Sequence, residues 1–466
     1  MVKLAFYLLV LVTSLDLYQG TINGYLSLQD VYTLLDIYKA KYPFLELQTL
    51  GKSHFGREIK SIKIPNPNTP KILIIGAHHA NELISTTNIF YLLDYILTNT
   101  TFKNTREITF IPVLNVDGLS TISDHLKINP NILEIRKNSR PTGCSIQHQG
   151  IDLNRNYGFK WAYDEYSSSE DPCNDEYRGT SAFSEKETLA IKNFIFKNTF
   201  DSIISYHSYG DYYIRPTGYA HINLTSFPQS HQNLYNNIIN ILPTNFKFGT
   251  VHELLGYYVN GSLMDYLYNL KIFCIEILIG PSIYNSFHPD KNMVKGILES
   301  HIEPFMMIVN KTDWNLSVDI IENGRILNVE IKNIGIASSN NTDMIIEFNK
   351  DVDVKVIKYQ VVFYDKKKII INIPSIKSEN KENIMLIIEG DIRKVNMTIR
   401  FEGKQHKGFF KEVMVYGTNP RNNLMIIIII SIVCIASLIL MLIVYRYCTK
   451  KKEVKFVELA EMQELA

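Results

Sequence analysis

Apolar and polar positions along residues 24–312 switch repeatedly between two periods. Ser27 followed by Asp30 has the form of a capping box, and Leu28, Val31, Leu34, Leu35 and Tyr38 then keep helical spacing until Pro43. Predominantly apolar runs at 72–75, 108–114, 202–206 and 272–278 predict buried strands, and helical spacing returns over 84–97. Ser184 with Glu187 predicts a second capping box, opening a helix that runs to about 197. This alternation predicts an α/β domain with a mixed, largely parallel central sheet flanked by helices. From about Trp314 the texture changes. Seven short β runs between 316 and 401, split by turn signals such as Glu322-Asn323-Gly324, predict a small antiparallel β-sandwich.

Both ends of the chain carry a different pattern. Residues 424–445 hold no charge and are long enough to cross a bilayer as one transmembrane helix. Arg446, Lys450, Lys451 and Lys452 follow, which sets that side in the cytoplasm. Lys3 and the apolar run 4–12 read as a secretory signal peptide. The expected organisation is a signal peptide (1–20), an α/β domain (21–312), a β-sandwich domain (313–416), a stalk (417–423), a transmembrane helix (424–445) and a cytoplasmic tail (446–466). That is a single-pass type I membrane protein with its bulk extracellular or lumenal. Seven N-x-S/T triplets, at Asn99, Asn223, Asn260, Asn310, Asn315, Asn340 and Asn396, agree with such a glycoprotein topology.

Composition narrows the function classes. The 466 residues include 48 Lys plus Arg against 47 Asp plus Glu, a net charge of +1, which leaves no electrostatic footprint for a nucleic acid. At 46% hydrophobic and 20% charged, wholesale disorder is excluded. Five cysteines are too few for a disulfide scaffold. Cys144 and Cys173 flank one loop-rich stretch and are expected to pair in an oxidising compartment, whereas Cys274, inside an apolar strand, is expected to be a buried free thiol.

Three predicted strands end in metal-competent or catalytic groups, where open α/β sheets place their sites. KILIIGAHHANE offers His79 and Glu82, two residues apart past a strand; SIISYHSYG offers His207 at a strand end. Two imidazoles and a carboxylate leave a fourth position open, the pattern of a catalytic zinc site. In KIFCIEILIG, Glu276 interrupts an apolar strand, and a carboxylate there reads as a structural ion pair or as a general base for water. Arg136 in LEIRKNSR and Asn154-Arg155 in GIDLNRNYG are cations and an amide with no obvious acidic partners, suited to holding a free carboxylate.

HHANE, IRKNSR, GIDLNRNYG, YHSYG, YYVNGSLMDY and FCIEI, in this order and approximate spacing, make residues 24–312 resemble the zinc metallocarboxypeptidases. The resemblance implies one Zn²⁺ held by His79, Glu82 and His207, with His79 favoured over His78. It implies Glu276 as the base for the attacking water, Arg136 as oxyanion stabiliser, and Asn154 with Arg155 as the grip on the substrate's terminal carboxylate. Tyr257, eight residues before Asp265, matches a mobile tyrosine that closes over the bound residue, with Tyr258 as its near neighbour. Cys144 and Cys173 bracket the Asn-Arg motif as a family disulfide does. Met264, by alignment, lies at the base of the pocket for the terminal side chain, and Gly218 adds no charge there. A neutral pocket predicts hydrophobic or aromatic C-terminal preference.

Two departures accompany the resemblance. Asn81 stands where members often carry an arginine tied to docking along the substrate path, and no long pro-segment follows the signal, so storage as a zymogen is not expected. The β-sandwich, whose partner is unknown from sequence, resembles both the transthyretin-like domain of the regulatory branch and an immunoglobulin-type module. The substrates implied are peptide or protein C-termini. Competing readings are an N-acyl amino acid deacylase on the same scaffold and a catalytically inactive adhesion or receptor protein.

Overall fold

The computed structural model describes residues 19–99, 106–129, 131, 134–282, 287–323, 326–339, 341–389, 397–403 and 413–415. The expected stalk, transmembrane helix and tail lie outside these residues, as does the expected signal peptide except for its last two positions. Among the described residues no helix is long and apolar enough to cross a membrane. The chain divides into two compact units, the first reaching to 318 and also taking in 331–341 and 374–382.

The first unit is built on an eight-stranded sheet with strands β1 (Glu46–Lys52), β2 (Glu58–Ile64), β3 (Lys71–Ile75), β4 (Glu107–Ile111), β5 (Ser202–His207), β6 (Tyr212–Ile214), β7 (Lys247–Gly249) and β8 (Phe273–Leu278). Their order is β1-β2-β4-β3-β5-β8-β6-β7. The middle pairs, β4 with β3, β3 with β5 and β5 with β8, are parallel. The flanking pairs β1 with β2, β2 with β4 and β6 with β8 are antiparallel. The mixed, largely parallel sheet of the sequence reading is therefore present. Its central strands are almost wholly buried because helices cover a parallel sheet on both faces, which is why they read as Ile-rich runs.

The helices are α1 (Leu28–Lys41), α2 (Leu83–Thr98), α3 (Val116–Leu126), α4 (Lys186–Asn198), α5 (Gln229–Ile241), α6 (Val251–Leu255), α7 (Leu263–Asn269), α8 (Lys291–Ser300) and α9 (Ile302–Lys311). Ser27 and Asp30 do form the reciprocal capping box that starts α1, and the buried face is the predicted one, Leu28, Val31, Leu34, Leu35 and Tyr38. The second capping box is not formed. Helix α4 starts after Glu185 without a side-chain cap, because Ser184 Oγ donates to Glu185 and accepts from Asn156 Nδ2. The strand predicted to run to 114 stops at Ile111, before Pro112, which lacks the N–H that a ladder needs.

The strands after residue 315 form two further sheets, of order β12-β15-β10-β9 and β13-β14-β11-β16-β17. Their strands are β9 (Leu316–Asn323), β10 (Ile326–Asn333), β11 (Thr342–Phe348), β12 (Asp353–Ile357), β13 (Val361–Asp365), β14 (Lys368–Ile373), β15 (Lys381–Glu389), β16 (Met397–Gly403) and β17 (Val413–Val415). The pairings of β11 with β14 and β16, of β12 with β15 and of β13 with β14 are antiparallel. Burial alternates residue by residue along β10 and β14, as in a sheet with one covered face. Strands β12 and β17, which gave no signal in the sequence, join the seven runs that did.

One interior feature carries a stability prediction. Glu187 in the first turn of α4 is fully buried. Burial, with Glu185 and Asp117 nearby, pushes its pKa up to about 8. An acid whose folded pKa lies above its unfolded value keeps a proton in the native state that the unfolded chain has released. Stability is therefore lost as pH rises from the ordinary glutamate value toward 8. Glu187→Gln is expected to raise the melting temperature at pH 9 by about 3–6 °C, with the gain shrinking toward pH 5. Calorimetric scans at both pH values check this; a gain independent of pH would contradict it.

Candidate metal centre and active site

The C-terminal ends of β3, β5 and β8 converge. Ile75 pairs with Ser205 and Ser205 with Glu276, so the loop after β3, the last residue of β5 and the middle of β8 meet at one edge. His79 sits in the loop after β3, Glu82 immediately precedes α2, and His207 ends β5. Glu82 Oε1 is 2.8 Å from His79 Nδ1, Glu82 Oε2 is 2.9 Å from His207 Nδ1, and the two Nδ1 atoms are 3.2 Å apart. All three residues are buried, with one ligand atom from each inside a 4.8 Å span. Burial alone would raise the Glu82 pKa, but His79 and His207 outweigh it and hold the carboxyl well below the usual range.

The outer nitrogens are committed elsewhere. His79 Nε2 faces Asp152 Oδ1 at 3.2 Å, and His207 Nε2 faces Ser205 Oγ at 3.1 Å. With its Nε2 hydrogen held by a carboxylate, His79 keeps the Nδ1 lone pair for a cation. This donor set, two inward nitrogens and one ionised carboxylate, fits a divalent zinc. His78 points away, its ring nitrogens 3.0 Å from Tyr157 OH and 3.2 Å from Ser205 Oγ. Burial, with His207 and His79 nearby, drives its pKa well below the usual imidazole value, so it stays neutral.

Around this trio lies a cleft of about 280 Å³ lined also by Arg136, Asn154, Arg155, Tyr257, Met264 and Glu276. Asn154 sits in a short 3-10 turn, Leu153–Arg155, and is held at both ends. Its Nδ2 donates to Glu276 Oε1 at 3.1 Å and its Oδ1 accepts from the Leu263 N–H at 2.9 Å. Asn154 therefore orients Glu276.

The two arginines are not without acidic partners, contrary to the sequence reading. Arg136 donates from Nε and Nη2 to Asp152 Oδ2 at 3.0 and 2.7 Å. Arg155 Nη2 donates to Glu176 Oε1 at 3.0 Å, and its buried Nε has no partner. Asp152 carries the coupling that sequence reasoning missed. Burial would raise its pKa, but Arg136, Arg155 and His79 hold it well below the carboxylate range, so one ionised group fixes both an arginine and a metal-competent histidine. Its signal was its place two residues before Asn154 in GIDLNRNYG.

Tyr257 is 46% exposed and lines the cleft, whereas Tyr258 stacks on His252 with ring centroids 4.4 Å apart and is not part of the lining. Met264 joins Ile214, Val251, Leu255, Val259 and Leu278 as the apolar side of the cleft. Gly218 is not brought to that lining; its N–H donates to Asp265 Oδ1 at 2.8 Å. Asp265, buried next to Met264, also accepts from the Tyr219 N–H at 3.1 Å. Burial raises its pKa to about 7, and it lies behind the wall. Cys144 and Cys173 are joined in a disulfide, and Cys274 is a buried free thiol. The Asn260 side chain is fully buried and donates to the Asp164 carbonyl, so that triplet is closed to glycan attachment in the folded chain.

Comparison with known proteins agrees with this geometry. A family model described as zinc carboxypeptidase matches residues 31–303. The chain is 30% identical over 311 residues to zinc carboxypeptidase A 1 of Anopheles gambiae, covering 62% of this chain and 68% of that one. It is 28% identical over 213 residues to the inactive metallocarboxypeptidase ecm14 of Talaromyces marneffei, covering 41% and 33%. In fold it is similar to carboxypeptidase A from Helicoverpa armigera, with a TM-score of 0.53 at 21% identity, covering 66% of this chain and 80% of that one.

Proposed function

The chain belongs to the zinc carboxypeptidase family, and from that premise we propose that it removes single hydrophobic or aromatic residues from peptide and protein C-termini, anchored to a membrane by residues 424–445 with its catalytic domain extracellular or lumenal. The observation that carries this reading is the gathering of His79, Glu82 and His207 beside Glu276 and Arg155 in one cleft. His79, Glu82 and His207 hold the zinc, which when bound supplies Lewis acidity and lowers the pKa of water toward 7. Glu276, aimed by Asn154, accepts the proton of the attacking water and returns it to the departing amine. Arg136, fixed by Asp152, faces the charge that develops on the carbonyl oxygen.

Arg155, braced by Glu176, takes the terminal carboxylate; an internal peptide bond offers no such anion. Tyr257, half exposed at the cleft wall, closes over the bound residue and excludes water. The apolar side around Met264 receives the last side chain, and Asp265 does not reach it because backbone N–H groups hold its carboxylate.

A panel of blocked dipeptides tests the reading. The free acid ending in Phe is expected to be cleaved about 10²-fold faster than its C-terminal amide, and about 10²-fold faster than the Lys-terminated acid. Equal rates on acid and amide would remove the carboxylate clamp and leave the deacylase reading.

A further inference from the structure

A second cleft lies at the other end of the strand that carries Glu276. Its volume is about 570 Å³, and none of its described lining residues borders the catalytic cleft. Phe227 and Tyr268 supply aromatic walls with ring centroids 4.9 Å apart, and His231, Lys271 and Glu379 supply titratable groups. His231 lies in the first turn of α5 and packs edge-on against Phe273, the first residue of β8, with ring centroids 5.5 Å apart. Glu379 belongs to the segment 374–382, which is part of the first compact unit. Its Oε1 accepts from the Ser230 N–H at 2.7 Å, and its Oε2 is 3.5 Å from Lys332 Nζ.

His231 is the unusual member. It is 5% exposed and lines this cleft, yet among the described residues neither ring nitrogen makes a hydrogen bond. Burial pushes its pKa down to about 4 despite the nearby Glu379. The ring is therefore neutral at pH 7 and carries one N–H donor and one lone pair. Lys271 is exposed and makes no ion pair among the described residues. The cleft thus gathers an uncommitted cation, a carboxylate with lone pairs left beyond its two contacts, and an imidazole that can donate and accept, all beside two aromatic rings. A cleft of this volume, with aromatic walls and a few convergent polar groups, has the form of a small-molecule site.

We propose that this cleft binds a free aromatic amino acid, with its carboxylate toward Lys271, its ammonium toward Glu379 and its ring against Phe227 and Tyr268. His231 then gains the hydrogen-bond partner it lacks, at one or other end of the zwitterion. Charge complementarity selects this class. A simple anion would leave Glu379 facing like charge and the rings unmatched, and an uncharged apolar ligand would strip water from three polar groups without replacing it. The recognition follows from the cleft alone. That the same class of molecule is what the catalytic cleft releases rests on the carboxypeptidase reading, and it makes this a product-binding site remote from the reaction.

The test is equilibrium dialysis of labelled L-phenylalanine against the full-length, zinc-loaded protein, with Arg155→Met added to remove the carboxylate grip of the catalytic cleft. About one molecule per chain is expected to bind, with a Kd on the order of 0.1–1 mM. 3-Phenylpropionate lacks the ammonium, phenethylamine lacks the carboxylate and alanine lacks the ring; each is expected to bind about tenfold more weakly. His231→Leu is expected to weaken phenylalanine binding about tenfold. Lys271→Glu is expected to make phenethylamine bind more tightly than 3-phenylpropionate. Lys271 is exposed, so this variant keeps the test open if His231→Leu fails to fold. No binding up to about 10 mM overturns the proposal. So does equal binding of phenylalanine and its two singly charged analogues, and so does phenylalanine binding that both variants leave unchanged. None of these results touches the carboxypeptidase reading, which the acid-against-amide rates of the wild-type protein decide.

Discussion

Replacing Glu276 by glutamine is expected to lower kcat for peptide hydrolysis by roughly 10²–10⁴-fold while leaving zinc content and the affinity for C-terminal peptides nearly unchanged. Glutamine has the same shape, and its carbonyl oxygen can still accept from Asn154 Nδ2, which donates to Glu276 Oε1 at 3.1 Å in the wild type. The fold of β8 around it is set by Phe273, Ile275 and Ile277, not by the acid. What is lost is the capacity to take a proton from water and return it to the leaving amine. A fall confined to kcat, with metal stoichiometry retained by elemental analysis, places the residue in proton transfer. Hydrolysis by the variant at the wild-type rate would sink the mechanism, and with it the active-enzyme reading over a binding protein with an enzyme-like cleft.

Zinc removal is expected to have the second large effect. Exhaustive chelation should reduce activity to under about 1% of its starting value, and added Zn²⁺ should restore it. His207→Ala should be inactive and should not be rescued, since it removes one of the three donors gathered within 4.8 Å. The stripped protein should also melt at a lower temperature, because an ion that binds only the folded chain stabilises it by mass action. Full activity after the metal has been removed, verified by elemental analysis, would show that these donors serve structure alone.

How far the chain could be read in advance differed from residue to residue. The apolar runs at 72–75, 202–206 and 272–278 were legible because burial on both faces demands side chains of one kind, whatever the partners. The capping box at Ser27 and Asp30 was legible because it is local, closing over three residues. The same motif at Ser184 misled, since a distant Asn156 supplies a competing hydrogen bond that no local pattern contains. The three-residue strands β6 and β7 gave no signal, because their pairing is fixed by neighbours far along the chain.

For the site, the sequence by itself determined the inventory: two histidines and two glutamates at or near the ends of buried strands, with two arginines and an asparagine between them. Only the tertiary structure decided their pairing. It gave Arg136 and His79 a common partner in Asp152, turned Asn154 toward Glu276, chose Tyr257 over Tyr258 for the cleft and set Gly218 behind the wall. The reason is physical. Residue types and local spacing fix what a segment can donate, accept or bury, whereas hydrogen bonds and Coulomb interactions act over a few ångströms and depend on which segments the fold brings that close.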